Sequence, residues 1–483
     1  MVASLYAATR RQGWVPALAR GTAVRALVLA CACAVLVTCS QPPSLLEEIQ
    51  RVGKLRVVTR ISPVTYYHGP NGPMGLEYDL VSGFARRLGV ELELITVDRF
   101  SELIPRVASG QAHLAAAGLT VTAERAQQVD FGPPYQFVRQ SLVYKRGHDR
   151  PRDLADLLGR RVEVGVGTSY VDRLARLQRL EPGLVFTENP EADVAELLLA
   201  VANEQIDYTV ADSNLIDIYR NLAPEIRRGF DLATGDALAW ALPKRHDRSL
   251  RDAVADYFES IRHDGQLAQL MDRYYGHTKR FDYVGTRRFI RDMQRKLPRY
   301  RELFENAAAA IGSDWRLLAA IGYQESHWDP RAVSPTGVRG IMMLTSRTAG
   351  VIGVNDRIDP EQSIVGGAHY LARLKRRLPP EIAEPDRTWF ALAAYNIGYA
   401  HVSDARKLTR EAGLDDRLWI NVRDNLSKLA QKRWYRRTRN GFAPAWDAVR
   451  YVENVRNYYD ILLWQDPPTQ EPPIQLAERA AGG

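Results

Sequence analysis

The hydrophobic rhythm of this chain changes once, near Phe289, and that change constrains the fold more than any other feature. Before it, two periods alternate. Leu55-Arg56-Val57-Val58-Thr59 reads as a strand, Tyr78 to Leu88 carries apolar residues at helical spacing, and Val90 to Val97 reads as a strand again. Arg161–Val166 and Asp207–Val210 continue the pattern, which ends near Tyr275 and Gly276. Strands alternating with helices specify an α/β unit with largely parallel sheets. Beyond Phe289 the strand signals vanish. Trp315 to Tyr323, Ser363 to Arg376, Thr388 to Tyr395 and Tyr451 to Leu463 all show helical periodicity, so the second unit is all-α. At 483 residues the chain is too long for one hydrophobic core, and each unit is expected to have its own.

The ends read differently. Cysteine occurs only as Cys31, Cys33 and Cys39, so nothing after Cys39 can form a disulfide or a cysteine-ligated metal site. Arg10, Arg11, Arg20 and Arg25 flank an almost wholly apolar run from Ala26 to Thr38. A membrane-spanning helix needs about 20 apolar residues. The run is shorter and suits the core of an export signal, so residues 1–39 are expected to be a signal sequence. Leu36-Val37-Thr38-Cys39 resembles the lipobox of bacterial lipoproteins, with Thr38 where Gly or Ala is usual. If Cys39 is acylated, Ser40 after it resembles the sorting signal for the outer membrane. Residues 40–52 read as a short linker, and the proline-rich tail 466–483 is expected to be disordered. The net charge of +8 favours anionic partners without choosing among nucleic acid, membrane and carboxylate-bearing polymers.

Ser313-Asp314 supplies capping residues for an apolar helix that begins at Trp315. Leu317, Ile321 and Glu325 follow four apart, share one face, and place a carboxyl in the last turn, toward the interior. Asp329-Pro330 closes the segment. A desolvated carboxyl has a raised pKa and stays protonated near neutrality. Cleavage of a glycosidic bond needs such a group, because the leaving oxygen must receive a proton. A helix-end glutamate in a salt bridge is the alternative, and Glu325 alone does not decide between them. No second carboxylate near Glu325 has a fitting context; Asp329 reads as a helix stop. His327 and His369 lack partners at ligand spacing, so no metal or other cofactor is expected. Gly165-Val166-Gly167-Thr168-Ser169 lacks the full dinucleotide fingerprint, and such a helix start binds carboxylates as readily as phosphates.

Glu325-Ser326-His327-Trp328 is followed by Ser334-Pro335-Thr336-Gly337-Val338-Arg339-Gly340-Ile341-Met342-Met343-Leu344-Thr345, and later by Ala393-Ala394-Tyr395-Asn396-Ile397-Gly398. Together these resemble the goose-type-lysozyme-like catalytic domain of lytic transglycosylases, over residues 299–465. The resemblance implies that Glu325 is the single acid/base, that Ser334 helps position the substrate's N-acetyl group, that Tyr395 lies beside the carboxyl, and that Asn396 shapes the cleft. Met343 stands where many members have Gln, a variant of one membrane-bound branch, and this puts one substrate hydrogen bond in doubt. The implied reaction cleaves the bond between N-acetylmuramic acid and N-acetylglucosamine in peptidoglycan strands and leaves a 1,6-anhydromuramoyl end. The residues themselves leave water open as the acceptor, which would make the enzyme a muramidase. Arg433 to Arg439, interleaved with Trp434 and Tyr435, is either a solvated basic face or a contact for anionic wall peptides; export argues against nucleic acid.

Gly75-Leu76-Glu77-Tyr78-Asp79-Leu80, Ala117 to Arg125, Asp130 to Tyr135 and Ile206 to Ser213 resemble family 3 solute-binding proteins, over residues 53–276. The resemblance maps Arg125 onto the arginine that grips a ligand carboxylate, a role suited to its planar fork. It maps Asp212 onto the acid that pairs with the ligand's amine, with Thr120 and Thr168 as further donors. The expectation is thus a signal sequence (1–39), a two-lobed α/β periplasmic-binding-protein-like domain (40–276), a linker (277–298), an all-α lysozyme-like transglycosylase domain (299–465) and a tail (466–483). Expected partners are glycan strands, an amino acid or muropeptide effector, and the inner leaflet of the outer membrane. A non-enzymatic amino-acid or peptide receptor is the rival reading.

Overall fold

The computed structural model describes residues 43–70, 72–278, 282–334 and 337–468. Residues 1–42, which include the expected signal sequence and the three cysteines, and the tail from residue 469 lie outside the described residues.

The first unit has two lobes. The sheet of the first lobe runs Glu91–Thr96, Lys54–Thr59, Leu114–Ala115, Ala241–Pro243, Val129–Phe131. Its first three strands are parallel, and Ala241–Pro243 joins antiparallel as the chain returns. The second lobe corrects the expectation of largely parallel sheets. Its central sheet, Thr209–Asp212, Gln136–Lys145 and Ile226–Leu238, is antiparallel throughout. Gln136–Lys145 carries the chain away from the first lobe and Ile226–Leu238 brings it back, so the pair must run in opposite directions. Apolar clusters built around Leu80, Phe84, Trp240 and Phe258 in the first lobe, and around Leu142, Leu198 and Ile216 in the second, fill the space between sheets and helices.

Two stretches expected as linkers are helical. Within residues 40–52, Leu45–Val52 forms a helix whose N-cap Ser44 and third residue Glu47 make a reciprocal capping box. Its Leu45 and Ile49 are buried in the first-lobe core, and Asp247 accepts a hydrogen bond from the Leu45 backbone N–H. Within 277–298, Tyr283–Arg295 forms a helix capped by Asp282. Its four arginines mask a short apolar stripe in the sequence, but Phe289 is fully buried, stacked on Tyr458 at 4.5 Å and edge-on to Tyr323 at 4.7 Å.

The second unit is helical from there on. Arg301–Ile311, Trp315–Ser326, Pro360–Arg377, Asp386–Ile397, Tyr399–Glu411, Trp419–Ser427 and Ala445–Gln465 pack around one apolar cluster. Ala445–Gln465 crosses Trp315–Ser326 and also meets the first unit. Arg456, only 2% exposed, donates to the Asp272 and Arg273 carbonyls at 2.8 and 2.9 Å. Asp272 also pairs with Arg423 at 2.6 Å, and His277 meets Asp460 at 2.5 Å. These contacts border a cavity of about 580 Å³ between the two units, lined by Tyr67, Trp389 and Trp464 among others.

Candidate active site

The Trp315–Ser326 helix starts where Asp314 accepts from the Arg316 N–H at 3.0 Å, and Tyr459 braces the same carboxylate at 2.8 Å. Leu318 through Ile321 are fully buried, which fixes the rotation of the helix and hence the direction of Glu325 in its last turn. The helix stops abruptly. His327 and Trp328 both adopt positive φ, 54° and 53°, a conformation that L-residues avoid. Buried contacts hold it: the Trp328 indole N–H donates to the Ala319 carbonyl at 2.8 Å, and Lys296 donates to the His327 carbonyl at 3.0 Å. Asp329 turns away, exposed, and accepts from the Arg331 N–H.

Glu325 is half-buried, and its Oε1 accepts a hydrogen bond from the Tyr451 hydroxyl at 2.6 Å. Burial pushes its pKa up to about 7, and the Tyr451 hydrogen bond opposes that rise. Among the described residues, no second carboxylate and no cation contributes to the shift. The group therefore stands near half-protonation at neutral pH, able to give a proton and to take one back.

Tyr395 lies close enough for the Glu325 charge to raise its pKa, after burial, the larger cause. Its hydroxyl, however, donates to the Met342 carbonyl at 2.8 Å, so the direct partner of the carboxyl is Tyr451. Sequence reasoning missed Tyr451. It sits among Tyr458 and Tyr459 on one long helix, and helical spacing does not single it out.

Met343 occupies a turn at φ 46°, its N–H bonded to the Gly340 carbonyl at 3.1 Å. Gly340 has φ 84°, and a Cβ there would lie 1.7 Å from the Arg357 carbonyl oxygen, so only glycine fits. Ser334 caps a tight turn: its hydroxyl accepts from the Val338 N–H at 3.2 Å. Pro335 and Thr336 between them lie outside the described residues. Asn396 is exposed at the end of Asp386–Ile397. Among the described residues, no cluster of His, Cys, Asp and Glu is arranged to hold a metal ion.

In the first unit, Thr120, Arg125, Thr168 and Asp212 are all buried. Arg125 joins the lobes: its guanidinium donates to the Thr120 carbonyl of one and the Gly167 carbonyl of the other, both at 2.9 Å, over the Phe100 ring. The Thr168 hydroxyl donates to the Gly165 carbonyl at 2.7 Å. Thr120, Thr168 and Asp212 line a small cavity between the lobes. Asp212 is pushed up to about 7, first by burial, and its Oδ1 is buried with no hydrogen-bond partner. An orphaned buried oxygen is costly unless a donor arrives.

A two-lobed binding fold joined to a helical domain that presents Glu325, raised to about 7 by burial, at the end of a helix defines a class: lytic transglycosylases that carry a solute-binding module. The comparisons agree. Residues 55–277 match the bacterial extracellular solute-binding proteins of family 3, and residues 302–417 match the transglycosylase SLT domain. Membrane-bound lytic murein transglycosylase F 1 of Alkalilimnicola ehrlichii is 49% identical over 87% of this chain and 86% of its own length. Membrane-bound lytic murein transglycosylase F of Saccharophagus degradans is 44% identical over 92% and 88%. That of Stutzerimonas stutzeri is 46% identical over 90% of each chain. The chain belongs to the membrane-bound lytic murein transglycosylase F family and is an enzyme of the lytic transglycosylase class.

Proposed function

We propose that the enzyme cleaves the bond between N-acetylmuramic acid and N-acetylglucosamine in peptidoglycan and leaves a 1,6-anhydromuramoyl end, with Glu325 as its single acid/base. One observation carries this reading: a carboxyl at the end of a buried helix, raised to about 7 by burial, with no other carboxylate among the described residues acting on it. Glu325 protonates the bridging oxygen as the C1–O bond breaks. The substrate's own acetamido group stabilises the charge at C1, which takes the place of a second carboxylate. The resulting carboxylate, steadied by the Tyr451 hydroxyl, removes the proton of the muramoyl C6 hydroxyl. That oxygen closes onto C1, and no water is consumed. Ser334, Met343, Tyr395 and Asn396 hold the glycan about the carboxyl. Mass spectrometry of products from purified sacculi tests the reaction. Products lighter by one water than hydrolysis products are expected; reducing-end muramic acid would make the enzyme a muramidase.

The same reading assigns residues 1–39 to export, residues 40–276 to binding and residues 299–465 to catalysis. The enzyme then works at the periplasmic face of the outer membrane, held peripherally or through an acylated Cys39. No described helix is long and apolar enough to cross a membrane. The first domain takes an amino acid or muropeptide, whose carboxylate meets Arg125 and whose amine meets the orphaned Asp212 oxygen, and this ligand modulates catalysis. Free amino acids or muropeptides are expected to raise the melting temperature of the full chain but not of Asp212→Asn. No shift with the unaltered chain overturns the effector role.

A further inference from the structure

The cationic run seen in the sequence takes no part in the chemistry at Glu325, but it builds a distinct surface. Lys432, Arg433, Arg436 and Arg439 are exposed, and among the described residues no carboxylate pairs with any of them. Beside them Phe442 and Trp446 are 55% and 50% exposed, large aromatic faces that a solvated surface does not need. From Lys432 to Arg450 there are six basic residues and one acidic residue, so this stretch carries five of the chain's net +8. The arrangement is held in place. Buried Asp404 accepts from the backbone N–H groups of Arg439 and Asn440 at 3.3 and 3.0 Å, and Ala443 N–H donates to the Leu429 carbonyl at 3.2 Å. Trp434 lies under Lys428, Arg433 and Arg437 at 4.8 to 5.5 Å. Arg437 pairs with Glu411 at 3.1 Å and Arg450 with Asp447 at 3.4 Å, which leaves the other four cations of this fixed cluster for anions.

The strand cleaved at Glu325 carries peptide carboxylates, and this points to the anion. Trp446 and Arg450 share the exposed face of the Ala445–Gln465 helix, and the next residue, Tyr451, touches Glu325. Trp446 and Tyr451 stand five positions apart, about 7.5 Å along the helix axis, with Trp446 on its exposed side and Tyr451 on its buried side. An extended tetrapeptide spans about 13 Å. We propose that this surface binds the carboxylate-bearing stem peptides of the strand being cleaved, so that the enzyme prefers peptide-substituted over bare glycan. The proposal rests on the reaction assigned above. The arginines pair with peptide carboxylates, and Phe442 and Trp446 pack against the alanyl methyl groups.

The test uses the full chain and two soluble substrates: peptide-bearing glycan strands, and the same strands stripped of peptide by an amidase. With Arg433→Gln/Arg436→Gln/Arg439→Gln, KM on peptide-bearing strands should rise about tenfold with kcat held, as expected for three exposed charge contacts. KM on stripped strands should not change. High salt should abolish the difference between the two substrates for the unaltered enzyme. The triple lysine variant at the same positions should recover most of the affinity. Equal loss on both substrates, or no loss on either, overturns the proposal. So does an unchanged KM on peptide-bearing strands together with lost sedimentation on phosphatidylglycerol vesicles, which would assign the surface to lipid. Failure of the unaltered enzyme on both substrates would instead sink the reaction assigned above.

Discussion

Tyr451→Phe removes one hydroxyl and leaves the ring that packs in the helical core. That hydroxyl donates to Glu325 at 2.6 Å and opposes the rise that burial imposes on the carboxyl. A hydrogen bond to a charged acceptor contributes about 1.5–3 kcal/mol, which corresponds to about one to two pKa units. The bond favours the ionised form, so its loss raises the Glu325 pKa further above the value of about 7 that it has now. Glu325 must be protonated to act as the acid, so kcat/KM falls as pH rises through this pKa. In Tyr451→Phe the alkaline limb should move up by about one to two pH units. The plateau should also fall, because the carboxylate formed after the first proton transfer loses its steadying donor. The assay is release of soluble products from labelled sacculi between about pH 5 and 9. Tyr395→Phe is the control: its hydroxyl serves the Met342 carbonyl, so its alkaline limb should stay in place. A Tyr451→Phe limb that stays put or moves down refutes the assignment of Tyr451 as the group that tunes Glu325.

Three further outcomes follow from the same geometry. Glu325 has a folded pKa above its ordinary 4.5, so the stability tied to its neutral form is complete below pH 4.5 and is lost as pH rises through about 7. Glu325→Gln should therefore melt with the unaltered chain at low pH and above it at pH 8, by up to about 3 kcal/mol less solvent screening at the cleft mouth; identical melts at both pH values contradict the burial. Gly340→Ala should lower the melting temperature of the catalytic domain and its activity together, since a Cβ would meet the Arg357 carbonyl at 1.7 Å; an unchanged melt shows that the turn yields cheaply. Arg456→Met leaves two carbonyls without a donor at the junction of the domains and should cost about 3 kcal/mol, read as a lower melting temperature; an unaffected melt means the junction carries little stability.

The helix that presents Glu325 was legible because capping residues, a four-residue apolar spacing and a following Asp-Pro coincide within one short segment. The alternation of strands and helices before Phe289 was legible for the same local reason. Strand direction was not. The antiparallel pairing of Gln136–Lys145 with Ile226–Leu238 is set by how the chain crosses between the lobes, which leaves no mark on either strand's period. The Leu45–Val52 and Tyr283–Arg295 helices were hidden by brevity and by charge, although Ser44-x-x-Glu47 did carry a capping signature. Tyr451 was hidden by distance: it meets Glu325 across 126 residues, and only tertiary packing selects it from its helix neighbours.

The role of Glu325 as the sole acid/base is tested most sharply by product release from sacculi by Glu325→Gln, with binding to the same sacculi measured in parallel. The glutamine keeps the shape of the side chain and can still accept from Tyr451, but it cannot transfer a proton. Retained binding and a loss of product release of at least about a thousandfold are expected. Release within tenfold of the unaltered enzyme would mean that another group supplies the proton, and the single-carboxyl mechanism would fall.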